Sequence, residues 1–290
     1  MQKRFFIALF ILALLMPSFS FASTSIKTPK KVIVKVEKPK IKILIVPGHD
    51  DEVWGTQYGK IKEADMNLSL GNELYNILKK DKRFEVYITR RWGGYTKEFD
   101  EYLTNNKEEI NDWRTEKKKI NQEKIVSGEL VNSPQEVHHV NANQHTSDVL
   151  YGINKWANDN KMDLVLHIHF NDYPRDTKWE VGKYRGIAMY VPDSQMANAL
   201  ESKNVAQRIW DKLRTKYVAS DYPKEVNGII PDPGLIAVGT KETLDAGVRS
   251  VLVEYGYIYG KIFRKSSTRH KAYKDMARLT AKGIEKYFFK

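Results

Sequence analysis

The stretch 41-IKILIVPG-48 decides how the rest of the sequence is interpreted. It is a short, nearly continuous apolar run that Pro47 and Gly48 stop, which is typical of a buried β-strand ending at a loop. The chain continues as 49-HDDE-52, so a histidine and three acids directly follow the run. We therefore expect a buried strand at this position, with a functional loop at its carboxyl end.

Strand patterns and helix patterns alternate downstream of this run. Leu70, Leu74, Ile77 and Leu78 recur at helical spacing and predict a helix from about 65 to 80. Apolar patterns also predict strands at 84–89, 164–169, 186–191 and 250–254, and helices starting near 148 and spanning about 196–216 and 268–287. Strands that alternate with helices predict an α/β fold with helices on both faces of the sheet.

The segment from about 91 to 147 interrupts this alternation. Its first part is densely charged, and its polar tail carries His138, His139 and His145. We interpret it as an insertion whose charged part forms a solvated helical hairpin, because helices with charges along their length usually face solvent. A second hypothesis is that the insertion gates or lines the functional cleft.

The amino-terminal 22 residues predict a secretory signal peptide. Two basic residues precede an apolar run at 5–16, and small residues end at Ala22. An uncleaved membrane anchor is the alternative. The Lys- and Pro-rich stretch 23–40 predicts a basic linker, which leaves 41–290 as the folded domain that carries the functional loop. We expect export to the periplasm or cell wall, with membrane contact only through the signal segment.

Charge and cysteine content narrow the class of function. The 290 residues carry a formal net charge of +12 at pH 7 and include no cysteine. Thiolate metal sites and disulfides are therefore excluded, and any metal must bind to His, Asp or Glu. In an exported chain, the basic excess favours an anionic envelope polymer over nucleic acid as the partner.

Four residues suited to metal chemistry stand at the ends of predicted elements: His49, Glu63, His169 and Glu254. In an open α/β sheet, ligands collect at the carboxyl ends of the strands. A catalytic zinc needs about three protein ligands and one open position, which a set of two histidines and one glutamate supplies. Glu254 is then left over, as a general base requires.

Short motifs around these residues resemble, in order and approximate spacing, the zinc-dependent N-acetylmuramoyl-L-alanine amidases of the Amidase_3 type. The motifs are 46-VPGHDD-51, 62-KEADMNL-68, 166-LHIHFND-172 and 250-SVLVEYGYI-258. The resemblance implies that His49, Glu63 and His169 bind one zinc ion per chain and that Glu254 is the catalytic carboxylate.

The resemblance also has implications for fold and substrate. It implies a mixed, mostly parallel sheet of about six strands flanked by helices. The reaction it implies is hydrolysis of the amide between N-acetylmuramic acid and L-alanine in peptidoglycan, for cell-wall remodelling or lysis. Peptidoglycan is then the main partner, and an activator protein is a candidate second partner.

The sequence departs from the family pattern at two places. Acids occupy 50–52 directly after His49, where the family usually has Gly-Gly. His167 stands where the family commonly has a small residue, and it shares a strand face with His169. His167 either supports or joins the metal ligands, or it is an ordinary buried histidine bonded to backbone. Asn171 either binds the peptide stem or caps a turn.

Two other functions compete with the amidase interpretation. The loop 49-HDDEVWG-55 also resembles the HPDDE loop of the zinc N-acetylglucosamine deacetylases related to the LmbE proteins, in which His and Asp bind zinc and a further Asp is the base. That alternative has no role for Glu254. The other alternative is a non-catalytic wall-binding or regulatory module, against which the presence of all four chemical residues argues.

Overall fold

The computed structural model describes residues 39–92, 94–137, 139 and 142–289. The predicted signal peptide, nearly all of the predicted linker at 23–40 and His138 lie outside these residues. Within the described part of the chain, no helix is long and apolar enough to cross a membrane.

Short strands and longer helices alternate along the described chain. The strands are β1 (Ile41–Pro47), β2 (Gln57–Tyr58), β3 (Ile61–Lys62), β4 (Phe84–Ile88), β5 (Arg90–Arg91), β6 (Gly94–Tyr95), β7 (Leu164–Asn171), β8 (Ala188–Pro192), β9 (Ile229–Asp232) and β10 (Arg249–Tyr257). The α-helices are α1 (Glu63–Leu78), α2 (Lys97–Asn105), α3 (Lys107–Ser127), α4 (Gln144–Asp159), α5 (Ala199–Leu213), α6 (Lys261–Arg264) and α7 (Ser266–Phe288).

Six strands form one mixed sheet in the order β4-β1-β7-β10-β8-β9. Strand β1 pairs in parallel with β4 and β7, and β7 pairs in parallel with β10. Strand β8 runs antiparallel to β10 and parallel to β9. The predicted α/β class and the mostly parallel sheet of about six strands are confirmed. The sequence prediction misses β9 because its stretch IIPD contains proline and aspartate, which are uncommon in strands.

Apolar side chains project from both faces of the sheet, because the side chains of successive residues in a strand point in opposite directions. On one face, Ile43 and Leu166 belong to a core that includes residues of α1, α5 and α7. On the other face, Leu44 packs in a second core with Trp156 of α4. The predicted placement of helices on both faces is therefore confirmed.

The insertion is helical, as predicted, but one side of it is buried. Phe99 of α2 is only 2% exposed and belongs to the second core, its ring 6.4 Å from that of Trp156. Lys155 of α4 lies 2.8 Å from Glu109 of α3, and this ion pair also links the insertion to the domain. The expectation of a solvated hairpin is wrong on this side, because Phe99 packs against Trp156 of α4 and Leu103 lies against Gly152 of the same helix.

Candidate metal and catalytic site

Three of the predicted site residues stand where an element ends or begins beside β1. His49 follows β1 in the left-handed backbone region, with φ of 60°. The amide of Gly48 donates to the carbonyl of Ile168 at 3.0 Å, which fixes the start of the loop to β7. His169 lies near the carboxyl end of β7, and Glu63 is the first residue of α1.

The side chains of His49, Glu63 and His169 converge. Nε2 of His49 lies 3.2 Å from Oε2 of Glu63, and Nδ1 of His169 lies 3.0 Å from Oε1. One ligand atom from each residue lies within 4.8 Å of the other two. Donors bound to one zinc at about 2.1 Å stand roughly 3–4 Å apart. The three side chains therefore form a donor set of the size and chemistry that a single zinc ion requires.

Two glycines leave room for these side chains. A Cβ built on Gly48 would lie 2.8 Å from Cδ2 of His169, and other ring atoms would be closer. A Cβ built on Gly55, whose φ is 73°, would lie 2.6 Å from Nε2 of His49 and closer still to Oε2 of Glu63. Any side chain at these two positions would enter the space of the donor set.

The electrostatics of the cluster keep the glutamate ionised. Burial favours its protonated form, but His49 and His169 outweigh this effect and hold the pKa of Glu63 well below its usual range. The amides of Thr56 and Phe170 also donate to this carboxylate, at 3.0 and 3.2 Å. Burial lowers the pKa of His169 and so favours the neutral ring. An ionised carboxylate and a neutral imidazole are the forms that bind metals.

Glu254 lies beside the cluster on the adjacent strand, where it pairs in register with His169. Its Oε2 is buried and makes no hydrogen bond with any described residue. Burial raises the pKa of Glu254 well above its usual range, and the negative charges of Glu63 and Glu225 add to this rise. A buried carboxylate with a raised pKa and an unused oxygen is suited to taking up and returning a proton.

The family model described as "Amidase_3: N-acetylmuramoyl-L-alanine amidase" matches residues 43–286, which is most of the chain. The chain belongs to this family. It is therefore an amidohydrolase whose reaction is hydrolysis of the amide between N-acetylmuramic acid and L-alanine in peptidoglycan. The match also includes the four converging or adjacent residues described above.

Solved structures of several amidases share the fold. An N-acetylmuramoyl-L-alanine amidase from Clostridium difficile 630 is 17% identical, with a TM-score of 0.53 over 86% of this chain and 97% of that one. The CwlD amidase from Clostridioides difficile, solved in complex with the GerS lipoprotein, is 16% identical, with a TM-score of 0.55 over 86% and 98%. AmiC2 of Nostoc punctiforme is 16% identical, with a TM-score of 0.53 over 88% and 100%. A search of curated proteins found no match.

Asp50, the first of the acids that follow His49, organises the loop of this amidase. Asp50 accepts hydrogen bonds from the amides of Glu52 and Val53, from the Tyr95 hydroxyl at 2.8 Å and from Nε2 of His145 at 2.9 Å. Its carboxylate is not part of the converging donor set. The deacetylase alternative needs an aspartate ligand at this place, so the donor set and the family match both favour the amidase.

The two secondary candidates of the sequence analysis lie near the cluster but outside the donor set. His167 is fully buried. Burial lowers its pKa to about 3, and the charge of His169 adds to this lowering, whereas the Ala237 carbonyl opposes it. Neither ring nitrogen of His167 makes a hydrogen bond of normal geometry with a described residue. Asn171 donates to Glu225 at 2.7 Å and accepts from the amide of Asp172.

Sequence reasoning missed two supports of the amidase site. Gly55 ends the loop 49–55, but only its positive φ and its close approach to His49 explain why a glycine is needed at this position. Glu225 is a buried carboxylate that accepts hydrogen bonds from Asn171, Tyr190, Ser220 and Tyr257. Its surroundings in sequence, 222-YPKEVNG-228, are typical of an exposed turn and gave no signal of this role.

Proposed function

We propose that this amidase is zinc-dependent, with His49, Glu63 and His169 binding one zinc ion per chain and Glu254 carrying the proton. The observation that carries the proposal is the convergence of three donor side chains around a space that Gly48 keeps open. Thiolate ligands are excluded by composition, and the set of two histidines and one carboxylate matches the ligands of catalytic zinc sites.

His49, Glu63 and His169 would hold the zinc ion, which would supply Lewis-acid polarisation of the scissile carbonyl and activation of water. The residues of the chain supply the rest. Oε2 of Glu254 takes a proton from the attacking water and returns it to the leaving nitrogen of L-alanine, so one carboxylate serves first as base and then as acid. Burial raises the pKa of Glu254 above the usual carboxyl range, which makes its carboxylate a stronger base.

The setting of the reaction is also part of the proposal. The signal-peptide pattern at the amino terminus and the net charge of +12 support an enzyme that acts on the anionic wall outside the cytosol, in the periplasm or cell wall. Peptidoglycan is the main partner. An activator protein is a candidate second partner, which the solved complex of the CwlD relative with a lipoprotein supports.

The assignment of roles is tested by metal content and turnover measured on the same variants. We expect Glu254→Gln to keep zinc and lose turnover, because the amide cannot carry the proton. His49→Ala and His169→Ala are expected to lose both, because each removes a ligand. Zinc is measured by atomic emission on the purified full chain, and turnover by release of peptide from purified peptidoglycan.

His270→Ala is the matched control, since this histidine is exposed on α7. It should retain zinc and activity. An active Glu254→Gln variant would remove Glu254 from the mechanism. Full zinc content in His49→Ala or His169→Ala would remove that histidine from the ligand set.

A further inference from the structure

A second histidine–carboxylate pair lies outside the metal cluster. Nε2 of His139 lies 3.0 Å from Oδ2 of Asp232, which is 1% exposed at the end of β9. The other oxygen of Asp232 accepts hydrogen bonds from Gln135 at 3.0 Å and from the amides of Gly234 and Leu235 at 2.8 Å. The carboxylate is therefore fixed from several directions, and it orients the imidazole of His139.

The His139–Asp232 pair lies on the same face of the sheet as Glu254. The ring of His139 packs edge to face on Tyr190, with centroids 4.9 Å apart. Tyr190 pairs in register with Leu252, and Ala188 of the same strand pairs with Glu254. Because side chains two apart on a strand share a face, Tyr190 lies diagonally next to Glu254.

His139 is also within electrostatic range of the metal cluster. Burial lowers the pKa of His169, and the nearby imidazoles of His49 and His139 add to this lowering. The tail of the insertion thus reaches the site at two points, since His145 contacts Asp50 on the catalytic loop.

The second nitrogen of the His139 ring remains available. No hydrogen bond joins Nδ1 to any other residue that the structure describes, and about a quarter of the side chain is exposed (26%). With Nε2–H donated to Asp232, Nδ1 of the neutral ring is a hydrogen-bond acceptor. An acceptor fixed in this way beside the proposed site of amide hydrolysis suits an amide N–H of the peptide stem.

We propose that His139 binds the substrate through Nδ1, which accepts a hydrogen bond from an amide N–H of the stem, and that Asp232 is its positioning residue. The proposal rests on the proposed site of hydrolysis at His49, Glu63, His169 and Glu254. It assigns to the insertion a direct contact with substrate, beyond the residues that carry the hydrolysis.

Two substitutions at the same position separate substrate binding from structural support. In His139→Gln, the amide group replaces Nε2 and keeps the contact with Asp232, but nothing replaces Nδ1. In His139→Asn, the amide oxygen replaces Nδ1 and keeps the acceptor, but the contact with Asp232 is lost. We expect His139→Gln to lose about three- to tenfold in kcat/KM, the worth of one hydrogen bond, and His139→Asn to retain more activity than His139→Gln.

The measurement uses the zinc-loaded full chain and a soluble N-acetylmuramyl-L-alanyl peptide as substrate. Zinc content should equal that of the unsubstituted protein in both variants. If His139→Gln is fully active and His139→Asn is impaired, His139 only supports the fold and the proposal is wrong. Loss of zinc in either variant contradicts it too, because His139 would then act on the metal.

A binding readout that needs no turnover completes the test. In the Glu254→Gln variant, addition of the same muramyl peptide should shift the imidazole nitrogen resonance of His139 Nδ1, and Asp232→Asn should reduce that shift. An unchanged His139 resonance at saturating peptide would overturn the proposal. Turnover by Glu254→Gln itself would instead contradict the proposed proton carrier and leave the His139 result interpretable.

Discussion

Replacing Gly55 by alanine places a methyl group inside the donor set. The new Cβ would lie 2.5 Å from Cδ2 of His49, whereas an ordinary contact begins at 3.4 Å, so the ring or the loop must retreat by about 0.9 Å. The backbone at Gly55 has φ of 73°, which adds about 1–2 kcal/mol of strain for any residue with a Cβ.

The chain offers a control that isolates the backbone strain. Gly128 has φ of 79°, and a Cβ there would meet nothing within 4 Å. Gly128→Ala should therefore lose about 1–2 kcal/mol of stability and no function. Gly55→Ala should lose a similar amount of stability, and about 100-fold in kcat/KM in addition, because displacement of a catalytic geometry by about 1 Å has effects of this size.

The assay compares the two variants by urea unfolding, by zinc affinity in competition with a chelator, and by kcat/KM on a soluble muramyl peptide. We expect equal shifts in stability but weaker zinc binding only in Gly55→Ala. If Gly55→Ala binds zinc and turns over like Gly128→Ala, the space around Gly55 is not required by the site, and the reasoning from its Cβ is refuted.

Three further substitutions have effects that follow from the surroundings of the replaced side chain. Glu254→Gln should stabilise the metal-free protein at pH 7, because the native fold keeps the carboxyl of Glu254 protonated at pH values above 4.5, where the unfolded chain ionises it. The gain in the free energy of unfolding, measured with urea, should shrink as the pH falls to that value. Asp50→Ala should weaken zinc binding roughly tenfold, because it releases the loop. Asp51→Ala is the control, since the side chain of Asp51 is 71% exposed, and it should leave zinc affinity unchanged. Equal zinc affinities of the two variants, measured by competition with a chelator, would contradict this prediction. Phe99→Ala should destabilise the chain by about 3–5 kcal/mol and leave zinc affinity unchanged, as measured by urea unfolding and metal titration.

The sheet and its helices follow from local patterns in the sequence. The apolar run before Gly48 and the corresponding runs in β7 and β10 are buried on both faces, so they stand out without any knowledge of their partners. The helix periods of α1 and α7 are equally visible. Strand β9 and the two short hairpins, β2–β3 and β5–β6, are too short or too polar to give such a signal.

The candidate site is only partly accessible from sequence. His49, His169 and Glu254 can be named because each ends a recognisable strand, and the carboxyl ends of parallel strands meet at one edge. The pairing of His139 with Asp232 joins residues 93 positions apart through a loop and a strand that no local pattern predicts. Such contacts depend on the tertiary fold, so the sequence could suggest a role for the insertion but not the residue that performs it.

The most direct test is mass spectrometry of purified peptidoglycan digested by the full chain, before and after chelation and after zinc is restored. The proposed function predicts free amino ends on L-alanine that disappear with the chelator and return with zinc. Release of acetate without new L-alanine ends, or cleavage that persists in the chelator, would contradict zinc-dependent amide hydrolysis at this site.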